Sequence, residues 1–409
     1  MSKQPLLSVS EARQRILAAV APVTGTQLLP LEQALHRILR SDIHAPHDLP
    51  PHRNSAMDGY AINADDLPAS GQSELLCVGR SFAGAPFDGR LESGQCIRIM
   101  TGAVVPEGAD SVIMQEQVQR LGERVQIGPN HRRGDNVRHP GEDLRAGSLV
   151  LQSGQRLGNI EIALLASLGI AQVTVQRRLR VAICSTGDEL RRPGEPLAPG
   201  DIYDSNRALL AATLNHPAIE LYDLGILGDD RETLRATFQE VTHFADLLIT
   251  SGGVSVGEAD FVKEILTEIG EVDFWRINIK PGKPLAFGKI GPTHFFGLPG
   301  NPVSALITFQ QFVQPALERM SGSEPRTPLR FNVPLRGDLH KQPGRETYLR
   351  GILRSDPDGT LEVSSAGHQG SHVLSSALLA NCLIILPADS SGAASGEPVL
   401  VEPLRERMS

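Results

Sequence analysis

A chain of 409 residues exceeds the usual single hydrophobic core, so roughly two to four domains are expected. Its formal net charge of −8, with no block of five or six like charges, gives nothing to attract nucleic acid or an anionic membrane surface. One Trp and four Tyr, against 40 Gly and 29 Pro, describe a turn-rich chain of short elements and not a base-stacking surface.

Ser8 and Glu11 have capping-box spacing ahead of residues 12–20, where Ile16, Leu17 and Val20 share an apolar face, which predicts a first helix. A second helix is predicted over Leu31 to Leu39. The Pro-rich run Ala45 to His52 then stops helical continuation. From about 56 to 147 the chain reads as short strands with Gly turns, such as Gln95 to Met100 and Ser111 to Gln115. Residues 160–169 return to helix and end on Gly169, a C′ glycine.

Past Leu179 strands and helices alternate. Strands are expected at Arg180 to Cys184, Glu220 to Ile226 and Ala245 to Thr250, with helices at Asn206 to Leu214, Arg231 to Phe244 and Phe261 to Ile269. This period implies right-handed crossovers, a mostly parallel sheet, and ligands at the carboxyl ends of its strands. A strand from His294 to Leu298 leads into Pro299-Gly-Asn-Pro302 and a long apolar helix from Val303 to Met320. Strands then follow at Phe331 to Leu335, Glu346 to Leu353, Leu361 to Ser364 and Cys382 to Leu386. The expected fold class is α/β and β multidomain: a helical linker domain at 1–46 continued by 148–178, an inserted β-rich domain at 47–147, an α/β domain at 179–326 and a C-terminal β-domain at 327–409.

The segment Thr250-Ser-Gly-Gly-Val-Ser-Val-Gly-Glu-Ala-Asp260 joins a strand to a helix. Gly252, Gly253 and Gly257 would let backbone N–H groups approach an oxyanion, with Ser251 and Ser255 as hydroxyl donors. Glu258 and Asp260 would repel a bare anion but could hold a divalent cation escorting one. A metal-assisted nucleotide or pyrophosphate site and a βα loop with capping acids both fit this segment.

Turns after the other strands add Asp188, Glu189, Asp229 and Asp230, an acidic group suited to Mg²⁺ if the turns converge, or helix caps if they do not. Strand alternation puts Arg276, Asn278 and Lys280 on one face ahead of Lys283, which makes either an oxyanion seat or a solvated basic face. Ser185 and Thr186, with Pro299, Gly300, Asn301 and Pro302, stand at the same sheet edge.

The four cysteines, Cys77, Cys96, Cys184 and Cys382, include no Cys-x-x-Cys pair and read as buried free thiols. His368 and His372 lack the glutamate of a zinc motif, and His44, His47 and His52 read as surface residues. No dinucleotide fingerprint, Walker A sequence or nucleophile elbow occurs. Residues 1–10 lack the features of a signal peptide and no run of eighteen apolar residues exists, so a cytoplasmic protein is expected.

Asn54-Ser-Ala-Met-Asp-Gly-Tyr-Ala61, Thr101-Gly-Ala-Val-Val-Pro106, Gly141-Glu-Asp143, Ser185-Thr-Gly-Asp-Glu-Leu190, Thr250 to Gly257, Lys280-Pro-Gly-Lys-Pro284 and Gly297-Leu-Pro-Gly-Asn-Pro-Val-Ser304 resemble, in order, the motifs of the bacterial molybdopterin molybdenumtransferase family. That family includes the C-terminal half of gephyrin. The resemblance implies a homodimer whose central domain is MoaB/MogA-like. It also implies insertion of molybdate into adenylylated molybdopterin, with AMP released and a divalent metal, Mg²⁺, assisting at Asp229 and Asp260. Asp58, Asp143, Glu189, Asp229, Asp260, Lys280, Arg350 and Ser371 are implied active-site positions, with Asp58 and Asp143 contributed to a site shared between subunits. Thr101 belongs to one of the motifs. The implied partners are a molybdopterin adenylyltransferase and downstream cofactor-processing or acceptor proteins. Arg276 departs from the family, which often carries Lys there. The competing functions are a molybdopterin adenylyltransferase and a non-enzymatic scaffold.

Overall fold

The computed structural model describes residues 6–252 and 261–404. The chain forms two compact units, one of Met1–Arg40, Gly154–Asn159 and Gln172–Ser409, the other of Ser41–Ser153 and Ile160–Ala171.

In the first unit the opening helix Val9–Ala19 carries the expected capping box: the Glu11 amide donates to Ser8 Oγ at 3.1 Å and the Ser8 amide to Glu11 Oε2 at 2.9 Å. The helix expected over 31–39 does not form, and only a 3₁₀ turn, Leu31–Gln33, is present. His36 has a positive φ of 63°, which ends helical continuation. The amides of His36 and Leu39 instead donate to the carbonyls of Leu157 and Gln155 at 2.6 and 2.8 Å. Beside them, Thr26–Pro30 pairs antiparallel with Gln172–Gln176. The buried Arg37 guanidinium closes this region by donating to the Gln176 carbonyl at 2.8 Å.

The central sheet has the spatial order Ile219–Leu227, Leu179–Thr186, Leu247–Ser251, Thr293–Leu298, Pro284–Ile290, Glu271–Arg276. The first four strands are parallel and the last two pair antiparallel, a mostly parallel sheet as expected. Its two faces follow the period-two rule. Val181, Ile183, Leu247 and Ile249 share a core with the opening helix, Ser205–Leu214 and the helical stretch 302–320. Ala182, Cys184 and Leu248 pack with Arg231–Val241 and Phe261–Ile269. Burial on both faces explains why these strands read as continuous apolar runs.

The helix expected from Val303 to Met320 is present with a change of pitch: α-helix Pro302–Thr308, a π turn Phe309–Val313, then α-helix Gln314–Met320. Pro315 lacks an N–H and its ring crowds the preceding turn, which a widened turn relieves.

The strands of the C-terminal part close on themselves. Glu346–Ser355, Leu361–Ser365, Phe331–Arg336, Pro398–Pro403 and Cys382–Leu386 pair in that order, and the last pairs back to the first. Ile279–Lys280 adds to Glu346–Ser355 as an edge strand. The expected single strand 276–280 is therefore split: Arg276 ends the central sheet and Lys280 begins the barrel edge. Alternation nonetheless survives the transfer, with Ile277 and Ile279 fully buried and Arg276 and Lys280 exposed.

The second unit is built on a six-stranded sheet ordered Ser111–Met114, Gly59–Ile62, Gln95–Ile99, Ser73–Ser81, Arg124–Ile127, Val118–Leu121. Gly59 is demanded by packing, since a Cβ there would lie 2.0 Å from the Ile113 carbonyl oxygen. Helix Asn159–Ser167 is followed by Gly169 at φ +71°. Across the chain, Cys96, Cys184 and Cys382 are buried, Cys77 is half-buried, and all four are free thiols.

Candidate active site

Strand Leu247–Ser251 runs into Gly252, whose amide donates to the Leu298 carbonyl at 3.1 Å. A Cβ on Gly252 would sit 2.7 Å from the Thr186 carbonyl oxygen, and φ is +92°, so two separate constraints select glycine. Asn206 ties this turn to its neighbour, with Nδ2 donating to Ser251 Oγ at 2.8 Å and to the Gly300 carbonyl at 2.7 Å. Gly252, Pro299, Gly300 and Asn301 thereby come together on the rim of one cavity, while Pro302 opens the helix behind them.

Ser185 and Thr186 lie beneath that rim. The Ser185 hydroxyl donates to Asp204 Oδ1 at 3.0 Å, which commits it to a buried network with Arg207. Thr186 Oγ1 is buried with no hydrogen-bond partner among the described residues. Gly253, Ser255 and Asp260, with Glu258, lie outside the described residues.

The cavity has a volume of about 740 Å³ and is walled by the sheet-edge turns on one part and by the barrel on another. Lys280 and Lys283 enter from the turn between the two sheets. Gly282 shapes that turn at φ +101°, where a Cβ would meet Thr308 Oγ1 at 2.5 Å. Lys341 and Arg345 enter from the barrel, and no Asp or Glu lines the cavity among the described residues. Sequence reasoning missed both barrel cations, because nothing local marks the turn that carries them. Arg276 does not line the cavity; it is exposed opposite Pro284 in the sheet register. The expected oxyanion seat thus keeps Lys280 and Lys283 and lacks Arg276.

Ser371 lines the cavity beside Gln369 and Gly370. Arg350 stands behind this loop, 1% exposed. Its guanidinium donates to Ser376 Oγ and to the carbonyls of His368 and Gly370, each at 3.0 Å, and Nη1 has no partner among the described residues. Burial lowers its pKa, as expected for a charge answered only by neutral acceptors. Arg350 shapes the loop and is not part of the lining. The rings of His368 and His372 stand 6.0 Å apart, and His368 Nδ1 accepts from the Gly370 amide at 3.1 Å.

Of the acids, Asp229 and Asp188 meet: the Asp229 amide donates to Asp188 Oδ1 at 3.0 Å. Desolvation in this turn, followed by the like charges of Asp188 and Glu189, raises the Asp229 pKa. Glu189 folds over Gly187, where a Cβ would lie 2.5 Å from its Oε2. Asp230 is a helix cap instead, accepting from the Thr233 amide at 2.8 Å, and hydrogen bonding from the Thr233 side chain, then from that amide, lowers its pKa. No group of three His, Cys, Asp or Glu side chains converges as a metal site among the described residues.

In the second unit Asp58 Oδ1 accepts from both the amide and the hydroxyl of Thr101, each at 2.8 Å, and the two bonds lower its pKa, the backbone bond most. Asp143 is exposed, with its amide donating to the Leu49 carbonyl at 3.0 Å.

Three family models match in succession: MoeA N-terminal region (domain I and II) over residues 7–169, the probable molybdopterin binding domain over 182–319, and MoeA C-terminal region (domain IV) over 332–404. The molybdopterin molybdenumtransferase of Haemophilus influenzae is 44% identical over 401 residues, covering 97% of this chain and 98% of that protein. The chain belongs to the MoeA family. The molybdopterin molybdenumtransferase of a Nostoc species is 38% identical over 97% of this chain and 94% of its own length. A crystal structure of the molybdopterin biosynthesis MoeA protein from Pyrococcus horikoshii aligns with a TM-score of 0.83 at 30% identity, covering 98% of this chain and 100% of that one. Gephyrin of Dictyostelium discoideum is 34% identical over 94% of this chain but 60% of its own length. MoeA relatives therefore account for the whole architecture, both β-rich parts included.

Proposed function

We propose that this MoeA-family chain is an enzyme of molybdenum cofactor biosynthesis that inserts molybdenum from molybdate into adenylylated molybdopterin and releases AMP. The observation that carries this reading is the cavity itself, where Lys280, Lys283, Lys341 and Arg345 converge with no acid on the lining among the described residues. Molybdate is a tetrahedral dianion and the second substrate carries a pyrophosphate. Such a pair repels in water, and fixed cations hold the two side by side at no reorganisation cost.

Two carboxylates of the sheet-edge turns are of the kind that binds a divalent cation. Asp188 and Asp229 are adjacent, and the Asp229 pKa is raised by desolvation and then by like charges, against one backbone hydrogen bond that lowers it. Mg²⁺ commonly takes one or two carboxylates, with water and phosphate oxygens completing the shell. Asp229 and Asp260 are the proposed ligands, and when bound the ion neutralises phosphate charge. Gly300, whose Cβ would meet nothing among the described residues, leaves room for the phosphates, while Ser371, Lys280 and Lys283 face the oxyanion. Asp58, Thr101, Asp143 and Glu189 are proposed to serve the same reaction, in a homodimer acting in the cytoplasm on substrate handed over by an adenylyltransferase.

An adenylyltransferase would need the α/β part alone. The barrel supplies half of the cavity's cations, which favours insertion, and a scaffold would need no cationic cavity. The test is direct: purified chain, adenylylated molybdopterin, molybdate and Mg²⁺, with AMP and molybdenum-loaded pterin quantified. Neither product appearing at saturating molybdate overturns the reading.

A further inference from the structure

Two of the cavity's four cations come from the barrel, on the turn between the short strand Leu339–His340 and the strand Glu346–Ser355. Lys341 Nζ donates to the carbonyls of Arg345 and Ala388 at 3.1 and 3.3 Å. An ammonium has three protons, so one remains for the cavity. Arg345 is half-buried as a residue, and its guanidinium makes no ion pair or hydrogen bond among the described residues. A guanidinium that lines a cavity with no acid among its described lining residues offers its fork of N–H donors to an oxyanion. Lys341 is half-buried as well. Desolvation lowers its pKa most, Asp389 opposes that, and repulsion from Lys280 adds to it.

We propose that Lys341 and Arg345 bind a tetrahedral oxyanion group of the substrate pair, Arg345 through the paired donors of its guanidinium and Lys341 through its remaining ammonium proton. The group is free molybdate or a phosphoryl of the pterin nucleotide; both present anionic oxygens in tetrahedral array. The anion's identity rests on the insertion reading above, whereas its charge rests on the cavity alone.

The test titrates the full chain separately with molybdate alone and with AMP alone, by calorimetry, for wild type, Arg345→Ala, Arg345→Lys and the surface control Arg354→Ala. Losing one charge-assisted contact should weaken binding about tenfold to a hundredfold in one of the two titrations. Arg345→Lys should recover part of that, and Arg354→Ala should match wild type. Weakening confined to molybdate assigns the pair to the free oxyanion, and weakening confined to AMP assigns it to the phosphoryl group. Lys341→Ala should weaken the same titration; because Lys341 also ties the turn together, Arg345 carries the decision if that variant misfolds. A folded Arg345→Ala chain that binds both anions like wild type overturns the proposal, as does a wild-type chain that binds neither. Wild type that binds both anions but inserts no molybdenum would remove the insertion reading and leave this pair standing.

Discussion

The Val303 amide donates to the Ser371 carbonyl at 3.0 Å, fastening the start of a helix in the α/β part to a loop of the barrel. From its other side the same loop is held by Arg350 through the carbonyls of His368 and Gly370. Ser371 therefore reaches the cavity on a segment clamped at both edges. Arg350→Ala removes a fully buried guanidinium and leaves two carbonyls and the Ser376 hydroxyl short of a partner, a cost of about 2–4 kcal/mol. A lowered melting temperature is expected, with a raised molybdate requirement in insertion assays. Full stability together with wild-type molybdate dependence would show that the loop holds its shape unaided.

Lys280→Ala should raise the molybdate concentration needed for insertion about tenfold to a hundredfold, the value of one charge-assisted contact. Arg276→Ala should change it far less, because that side chain lies off the cavity. Steady-state assays at fixed adenylylated molybdopterin give both numbers, and equal losses in the two variants would return Arg276 to the site.

At Gly252 an added methyl group meets the Thr186 carbonyl at 2.7 Å, and the backbone sits at φ +92°. Gly252→Ala should thus displace the sheet-edge turn and weaken AMP binding while leaving the barrel cations in place. Calorimetric titration with AMP reads this directly. Undiminished affinity would place the nucleotide elsewhere.

Asp229 bears on pH and metal together. Its pKa is raised in the folded chain, so its charged form opposes folding at pH values above that raised pKa, and protonation relieves the strain as pH falls through it. Mg²⁺ needs the charged form, so affinity should fall over that same interval. Asp229→Asn should melt no lower than wild type without Mg²⁺ and should lose the rise in melting temperature that Mg²⁺ gives wild type. A variant that retains the Mg²⁺-dependent rise would exclude Asp229 as a ligand.

Legibility in the sequence followed how local the determining physics is. Helix Phe261–Ile269 and strand Cys382–Leu386 were readable to the residue, because burial imposes their periods directly. The segment 31–39 was misread because its amides bond to residues 155 and 157, far along the chain, and that pairing overrides a weak helical pattern. At 276–280 the alternation holds while the chain changes sheets midway, which leaves the pattern intact and Arg276 off the cavity lining. Asp230 could not be told from Asp229 without seeing which one caps the helix. Lys341 and Arg345 gave no signal, since only barrel closure brings their turn to the sheet edge.

That closure has a consequence for modularity. Tyr348, Leu383 and Ile385 of the barrel belong to the same buried cluster as Leu285, Phe287 and Phe312 of the α/β part. The two parts were folded as one body of oil, so neither can be exchanged among relatives as a cassette without repacking the other. A chain shortened to its α/β part would bare that apolar surface to water and would be expected to aggregate before it could be assayed.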